Sequence, residues 1–171
     1  MDLNALVGTL LSGDSLSNMG KISGTSQNEV QDVLASVLPL LLNGAQNQAQ
    51  NKNTATGFAN ALQNHAKADT SNLAAFLSNV DLDDGGKILG HLLGGEQQVA
   101  TQRAAKKAGL DIGKTATILA AAAPLLMSLM GQQSVRKNNA ARSNAVSPAG
   151  GDSLFGSADV VKLLSTLLGG R

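Results

Sequence analysis

The chain has 171 residues, 43% of them hydrophobic, which is enough for one domain with a real core. Aromatics make up only 2%, and the absence of cysteine excludes disulfides, thiolate nucleophiles, iron–sulfur clusters and Cys-ligated zinc. The formal net charge of +1 hides an uneven distribution: residues 1–100 carry 4 Lys/Arg against 9 Asp/Glu, net −5, whereas residues 101–142 carry 7 against 1, net +6.

Leu and Ala dominate, and β-branched runs are scarce, so the sequence predicts an all-α, multihelical fold with no strand. Residues 2–11 and 14–22 read as short helices split at Ser12-Gly13. The opening MDLNALVGTLLSGDS has no positive n-region and carries Asp2. It does not read as a secretory leader, so a cytoplasmic location is the default expectation, with assembly at a surface or outside the cell left open. Gly24 then stops a helix, Ser26 caps the next, and a long apolar helix follows with Pro39 in its second half. The polar stretch 46–54 fits either an extension of that helix or a loop.

Residues 55–65 (Phe58, Leu62) and 70–79 (Leu73, Phe76, Leu77) have helical apolar spacing. Asp81-Leu82-Asp83-Asp84-Gly85-Gly86 reads as a turn before the helix-like KILGHLL, and 96–107 as a basic amphipathic helix. Next come a Gly109 stop, an Asp111 cap and the apolar run Ile118–Met130 with Pro124 inside it. That run is 13 residues, short of the ~20 needed to span a bilayer, so it reads as a core helix and no transmembrane segment is expected. Residues 132–153 read as a polar linker and 154–171 as a C-terminal helix.

At an offset of 85, Gly24, Leu34, Ala35, Pro39 and Leu40-Leu41 fall on Gly109, Leu119, Ala120, Pro124 and Leu125-Leu126. The chain therefore holds two similar helix–turn–helix units, at about 14–46 and 96–131, inside one domain spanning 1–131. A mid-helix proline removes one backbone hydrogen bond and bends the axis, or else starts a new helix at its first position. Paired at equivalent sites, Pro39 and Pro124 are read as bends in two buried core helices. Gly24 and Gly109 are read as the matching helix stops.

No pattern argues for an enzyme, a cofactor or a metal. Ala108-Gly-Leu-Asp-Ile-Gly113-Lys114-Thr115 fits a relaxed phosphate-loop pattern, but a helix precedes it where a strand is required. Asp81, Asp83 and Asp84 look like the front of a calcium loop, yet position twelve is Leu92 rather than Glu. A helix-initiating turn is the simpler reading, with cation binding left open. His65 and His91 lack partners in metal-site register. The chain has no Gly-x-Ser-x-Gly elbow.

Five stretches resemble the bacterial YidB-like family, a domain of unknown function. They are MDLNALVGTLLSG, ISGTSQNEVQDVLASVLPLLL, DDGGKILGHLLGG, AGLDIGKTATILAAAAPLLM and LLSTLLGGR. The resemblance implies a homeodomain-like, multihelical fold, with no established activity and so no functional residues to carry over.

The expected function is a non-enzymatic structural or interaction protein that self-associates into an oligomer or filament. Its candidate contact residues are Arg103, Lys106, Lys107, Arg136, Lys137 and Arg142, since regions of opposite charge attract between copies. One alternative is a nucleic-acid-binding module using the basic region 101–142. Another is a peripheral membrane protein using its terminal amphipathic helices.

Overall fold

A computed structural model describes residues 3–143, with side chains for 4–140. The helix expected at 154–171 and the linker residues 144–153 lie outside the described residues. Within them the chain is all-helical: α1 (Leu3–Leu10), α2 (Gly13–Ser23), α3 (Gln27–Gln50), α4 (Ala55–His65), α5 (Leu73–Ser78), α6 (Leu82–Leu93), a 3₁₀ turn (Gly94–Glu96), α7 (Gln97–Ala108) and α8 (Ile112–Ser143).

The two repeats share one local design. α2 ends at Gly24 with φ 66° and α7 at Gly109 with φ 69°, the left-handed conformation that a residue without Cβ adopts freely. In each case the next N–H turns back five residues. Thr25 donates to the Gly20 carbonyl at 2.8 Å, and Leu110 to the Ala105 carbonyl at 2.9 Å. The following long helices then start on side-chain caps. Ser26 and Glu29 form a reciprocal capping box on α3. Asp111 Oδ1 accepts the Lys114 N–H of α8 at 2.8 Å.

Both long helices continue through their prolines without a break, so neither proline begins a new helix. Their surroundings differ. Pro124 is buried as expected, but Pro39 is exposed, as is Ala35 one turn before it. α3 turns that side to solvent because the helices packed on it (α2, α4, α6, α7 and α8) cover its other faces. The expectation of two buried prolines therefore fails for Pro39.

α8 is the central helix, packed by α1, α2, α3, α4, α6 and α7. Every residue from Ile118 to Ser128 is buried, the burial of a helix apolar on all sides. It is also longer than its apolar run implied. Ile112–Ala140 is long and apolar enough to cross a membrane by length and composition, but 67% of its most apolar window is buried inside the molecule. Residues 132–143, expected as linker, continue α8. Gln, Arg, Lys and Ala all favour helix, no Gly or Pro interrupts 132–143, and basic residues suit a helix C-terminus. The polar stretch after residue 46 likewise extends α3 to Gln50, where Gln48 Nε2 donates to the His91 carbonyl at 2.6 Å.

Glycines set the tightest crossings. A Cβ at Gly85 of α6 would fall on the Ala120 carbonyl oxygen of α8, and one at Gly44 of α3 on the Leu92 carbonyl oxygen of α6. Ala120 is the residue whose carbonyl Pro124 deprives of its helical donor, so the bare Gly85 backbone lies against that freed oxygen. α6 is thus seated between α3 and α8 by two backbone-to-backbone contacts, burying Ile88, Leu89, Leu92 and Leu93.

Candidate functional site

Two concavities stand out on the described surface. The first, about 410 Å³, is bounded by the end of α4, α5, the start of α6 and Pro124 of α8. Asp69, Asp81, Asp84 and His65 rim it over an apolar floor that includes Phe76 and Val80. Most of its polar atoms serve local structure. Asp81 Oδ1 caps α6, accepting the N–H of Asp83 at 2.9 Å and of Asp84 at 3.1 Å. Asn72 Oδ1 caps α5 through the Ala75 N–H at 3.1 Å.

Asp69 accepts the Ser71 hydroxyl at 2.5 Å and its N–H at 2.9 Å, which hold its carboxyl below the ordinary value. Only His65 and Asp84 meet across elements, 3.8 Å apart. Among the described residues no group of three such side chains is placed to hold a metal ion. The acidic turn Asp81, Asp83, Asp84 is the cap and first turn of α6, which the sequence reading of a helix-initiating turn anticipated. His91 lies on the other end of α6, exposed, with its carbonyl held by Gln48.

The second concavity is an open groove of about 260 Å³ where α6, α7 and α8 meet. Its lining is small or aliphatic: Leu82, Gly86 and Leu89 from α6, and Ala116, Thr117 and Ala120 from α8, with Gln97 and Thr101 from α7. Leu82 on its edge is 37% exposed, and Ile112, one turn before Ala116 on the same face of α8, is 53% exposed. Its volume is below that of small-molecule pockets, roughly 300–1,000 Å³, and the hydroxyls of Thr101 and Thr117 are taken by carbonyls of their own helices. Its shape and lining suit an apolar helix face, which presents anchors at i, i+3, i+4 and i+7.

The phosphate-loop pattern is closed off by local geometry. Gly113, Lys114 and Thr115 form the first turn of α8, and the Lys114 N–H that a phosphate would need is taken by Asp111. Thr115 is buried, with its hydroxyl donating to the Asp111 carbonyl at 2.9 Å.

The basic residues do not form one surface. Arg103, Lys106 and Lys107 are exposed on α7, close to the turn into α8. Arg136 and Lys137 are exposed near the other end of α8, some 24 residues on from Ile112, or about 36 Å at 1.5 Å per residue. Arg142 lies beyond the described side chains. Among the described residues these basic side chains therefore form two separate patches.

The sequence reading missed the groove and the cross-element pairs. The Ala116/Ala120 spacing on α8 and the Leu82/Gly86/Leu89 spacing on α6 were its only signals. No local pattern announces His65 with Asp84, or Gln132, whose Nε2 donates to the Ala68 carbonyl at 2.8 Å and ties the segment after α4 to α8.

The sequence profile of a family described as bacterial protein of unknown function (DUF937) matches residues 5–133. The chain belongs to that family, and the YidB-like resemblance is compatible with it. No curated protein and no solved structure matches the chain.

Proposed function

We propose that this member of the bacterial DUF937 family is a non-enzymatic interaction protein that associates with copies of itself, as an oligomer or a filament. The observation that carries this reading is the open α6/α7/α8 groove, with Leu82 exposed on its edge and Ile112 exposed one turn before its Ala116. An apolar concavity edged by large exposed side chains is surface that a partner helix would cover. The uneven charge favours a like partner: the acidic first 100 residues of one copy attract the basic 101–142 region of another.

In this reading α2–α3 and α7–α8 are homeodomain-like helix–turn–helix units with proline-bent second helices, used for packing rather than for groove reading. α3 opens with Gln27, Asn28 and Glu29, an acidic start unsuited to phosphates, and α8 is buried through its centre.

Light scattering on the purified full chain tests the reading. The expected result is a mass that rises with concentration. A single monomer mass at tens of micromolar would contradict it.

A further inference from the structure

α8 holds a property that its place in the core does not use. Residues 115–135 are an unbroken stretch of 21 residues without a charged side chain. Lys114 stands at one border and Arg136-Lys137 at the other, and all three are exposed. As helix the stretch is about 32 Å long, which matches the hydrocarbon layer of a bilayer, about 30 Å. Cations at both borders then fall where lysine and arginine side chains reach to lipid headgroups.

The hydroxyls inside the stretch are satisfied by the helix itself. Thr115 donates to the Asp111 carbonyl at 2.9 Å, Thr117 to Gly113 at 3.0 Å, Ser128 to Pro124 at 2.8 Å and Ser134 to Met130 at 2.9 Å. These bonds travel with α8 wherever it goes, which is the condition that hydrocarbon imposes on a spanning helix. Gln132 is bonded to Ala68 and Thr70 instead, but it lies one turn from Arg136, at the level of the headgroups.

The equivalent helix α3 lacks this character. Its residues 33–51 are also uncharged, yet Asn43, Gln46, Asn47, Gln48 and Gln50 fill its second half. Among the described residues α8 is the one helix long and apolar enough to cross a membrane. A helix apolar on all sides belongs either in a protein core or across a bilayer. Lipid tails are as apolar as the leucines that cover α8, so exchanging one for the other keeps its centre buried. Among the covering helices, α2, α4 and α6 bury apolar residues on one side and keep polar residues outward, a form that suits the plane of a membrane interface. We infer that α8 is a membrane-insertable core: on an anionic bilayer, drawn by Arg136 and Lys137, the bundle opens, residues 115–135 cross the hydrocarbon and the covering helices lie along the surface. This is independent of the self-association proposed above.

The chain has no Trp, so a single introduced tryptophan reports on one position. Ile112→Trp and Val135→Trp place a reporter at each end of the stretch, where the native residues are 53% and 41% exposed and the core is left intact. The parent and each full-length variant are mixed with preformed vesicles of phosphatidylglycerol and phosphatidylcholine and floated, and iodide is added outside. Without vesicles iodide should quench both reporters alike. On vesicles one reporter should lose most of its quenching and regain it when detergent opens the vesicles, because a spanning helix puts its ends on opposite sides. A parent that does not float with the vesicles would overturn the proposal, whatever the variants do. Flotation with both ends open to iodide would show a surface-bound molecule, and flotation with both ends shielded would show no end left outside; either result overturns it as well.

Discussion

The units α2–α3 and α7–α8 carry the same local instructions and meet different fates. Each has a left-handed Gly stop, a polar cap two residues later and a proline thirteen residues beyond that cap. Yet Pro39 is exposed on a helix covered on its other faces, and Pro124 is buried in the helix at the centre of the molecule. Turn and cap chemistry is local and copies faithfully. Burial depends on what packs alongside, and α1, α2, α4 and α6 gather around α8. The composition of the two runs carries part of this: LAAAAPLLM offers no polar atom beyond the backbone, whereas LASVLPLLL places Ser36, whose hydroxyl donates to the Asp32 carbonyl, on the exposed side.

The comparison can be strained where the units should agree. Leu41 and Leu126 are equivalent and 1% and 0% exposed. Leu41→Ala and Leu126→Ala should each cost about 2–5 kcal/mol in urea denaturation. A cost below that range at Leu126 alone would mean that α8 is less central than its burial indicates.

A smaller effect should appear where the units differ. Gly85→Ala forces a Cβ onto the Ala120 carbonyl, a contact with no counterpart in the first unit, and should cost about 1–3 kcal/mol as overpacking. Its neighbour Gly86 has nothing within 4 Å, so Gly86→Ala should leave the melting temperature level or slightly raised. Equal melts for the two would remove the close α6–α8 crossing.

Caps come next in size. Ser26→Ala and Asp111→Ala should each destabilise by about 1 kcal/mol, since each removes the side-chain acceptor of an N–H in a helix's first turn. The first cap also carries a pH signature. The Ser26 N–H, then its hydroxyl, hold the Glu29 carboxyl below its ordinary value of 4.5. A depressed native value stabilises above the unfolded one and is lost as pH falls through the native one. The stability gap between the parent and Glu29→Gln should therefore be present near neutrality and close on acidification below 4.5. A gap that widened in acid would reverse that assignment.

Much of the fold is legible in the sequence because its punctuation is chemical. Gly24, Gly109, Ser26 and Asp111 announce helix ends by conformational freedom and capping, and the burial of Ile118–Met127 follows from an apolar run with no polar face. Polarity misleads at 132–143, where Gln, Arg and Lys suit a solvated helix as well as a linker. The exposure of Pro39 is hidden because Leu38 and Leu40 flank it, and only the arrangement of neighbouring helices reveals which side α3 turns outward. The groove is hidden for a related reason. Ala116, Ala120 and Gly86 are unremarkable singly and form a concavity only when α6, α7 and α8 meet.

The most direct measurement of this account is a paired thermal melt of Pro39→Ala and Pro124→Ala. At Pro39 the new N–H restores the bond to the Ala35 carbonyl on an exposed face, with nothing to obstruct a straighter helix. The melting temperature should rise, reflecting a gain in stability of up to the ~3 kcal/mol that separates Ala from Pro in a helix. At Pro124 the substitution removes a buried ring and draws the Ala120 carbonyl away from Gly85, so the melting temperature should fall. Opposite signs are the predicted result. Shifts of the same sign in both variants would contradict the claim that two copies of one local design are told apart by burial.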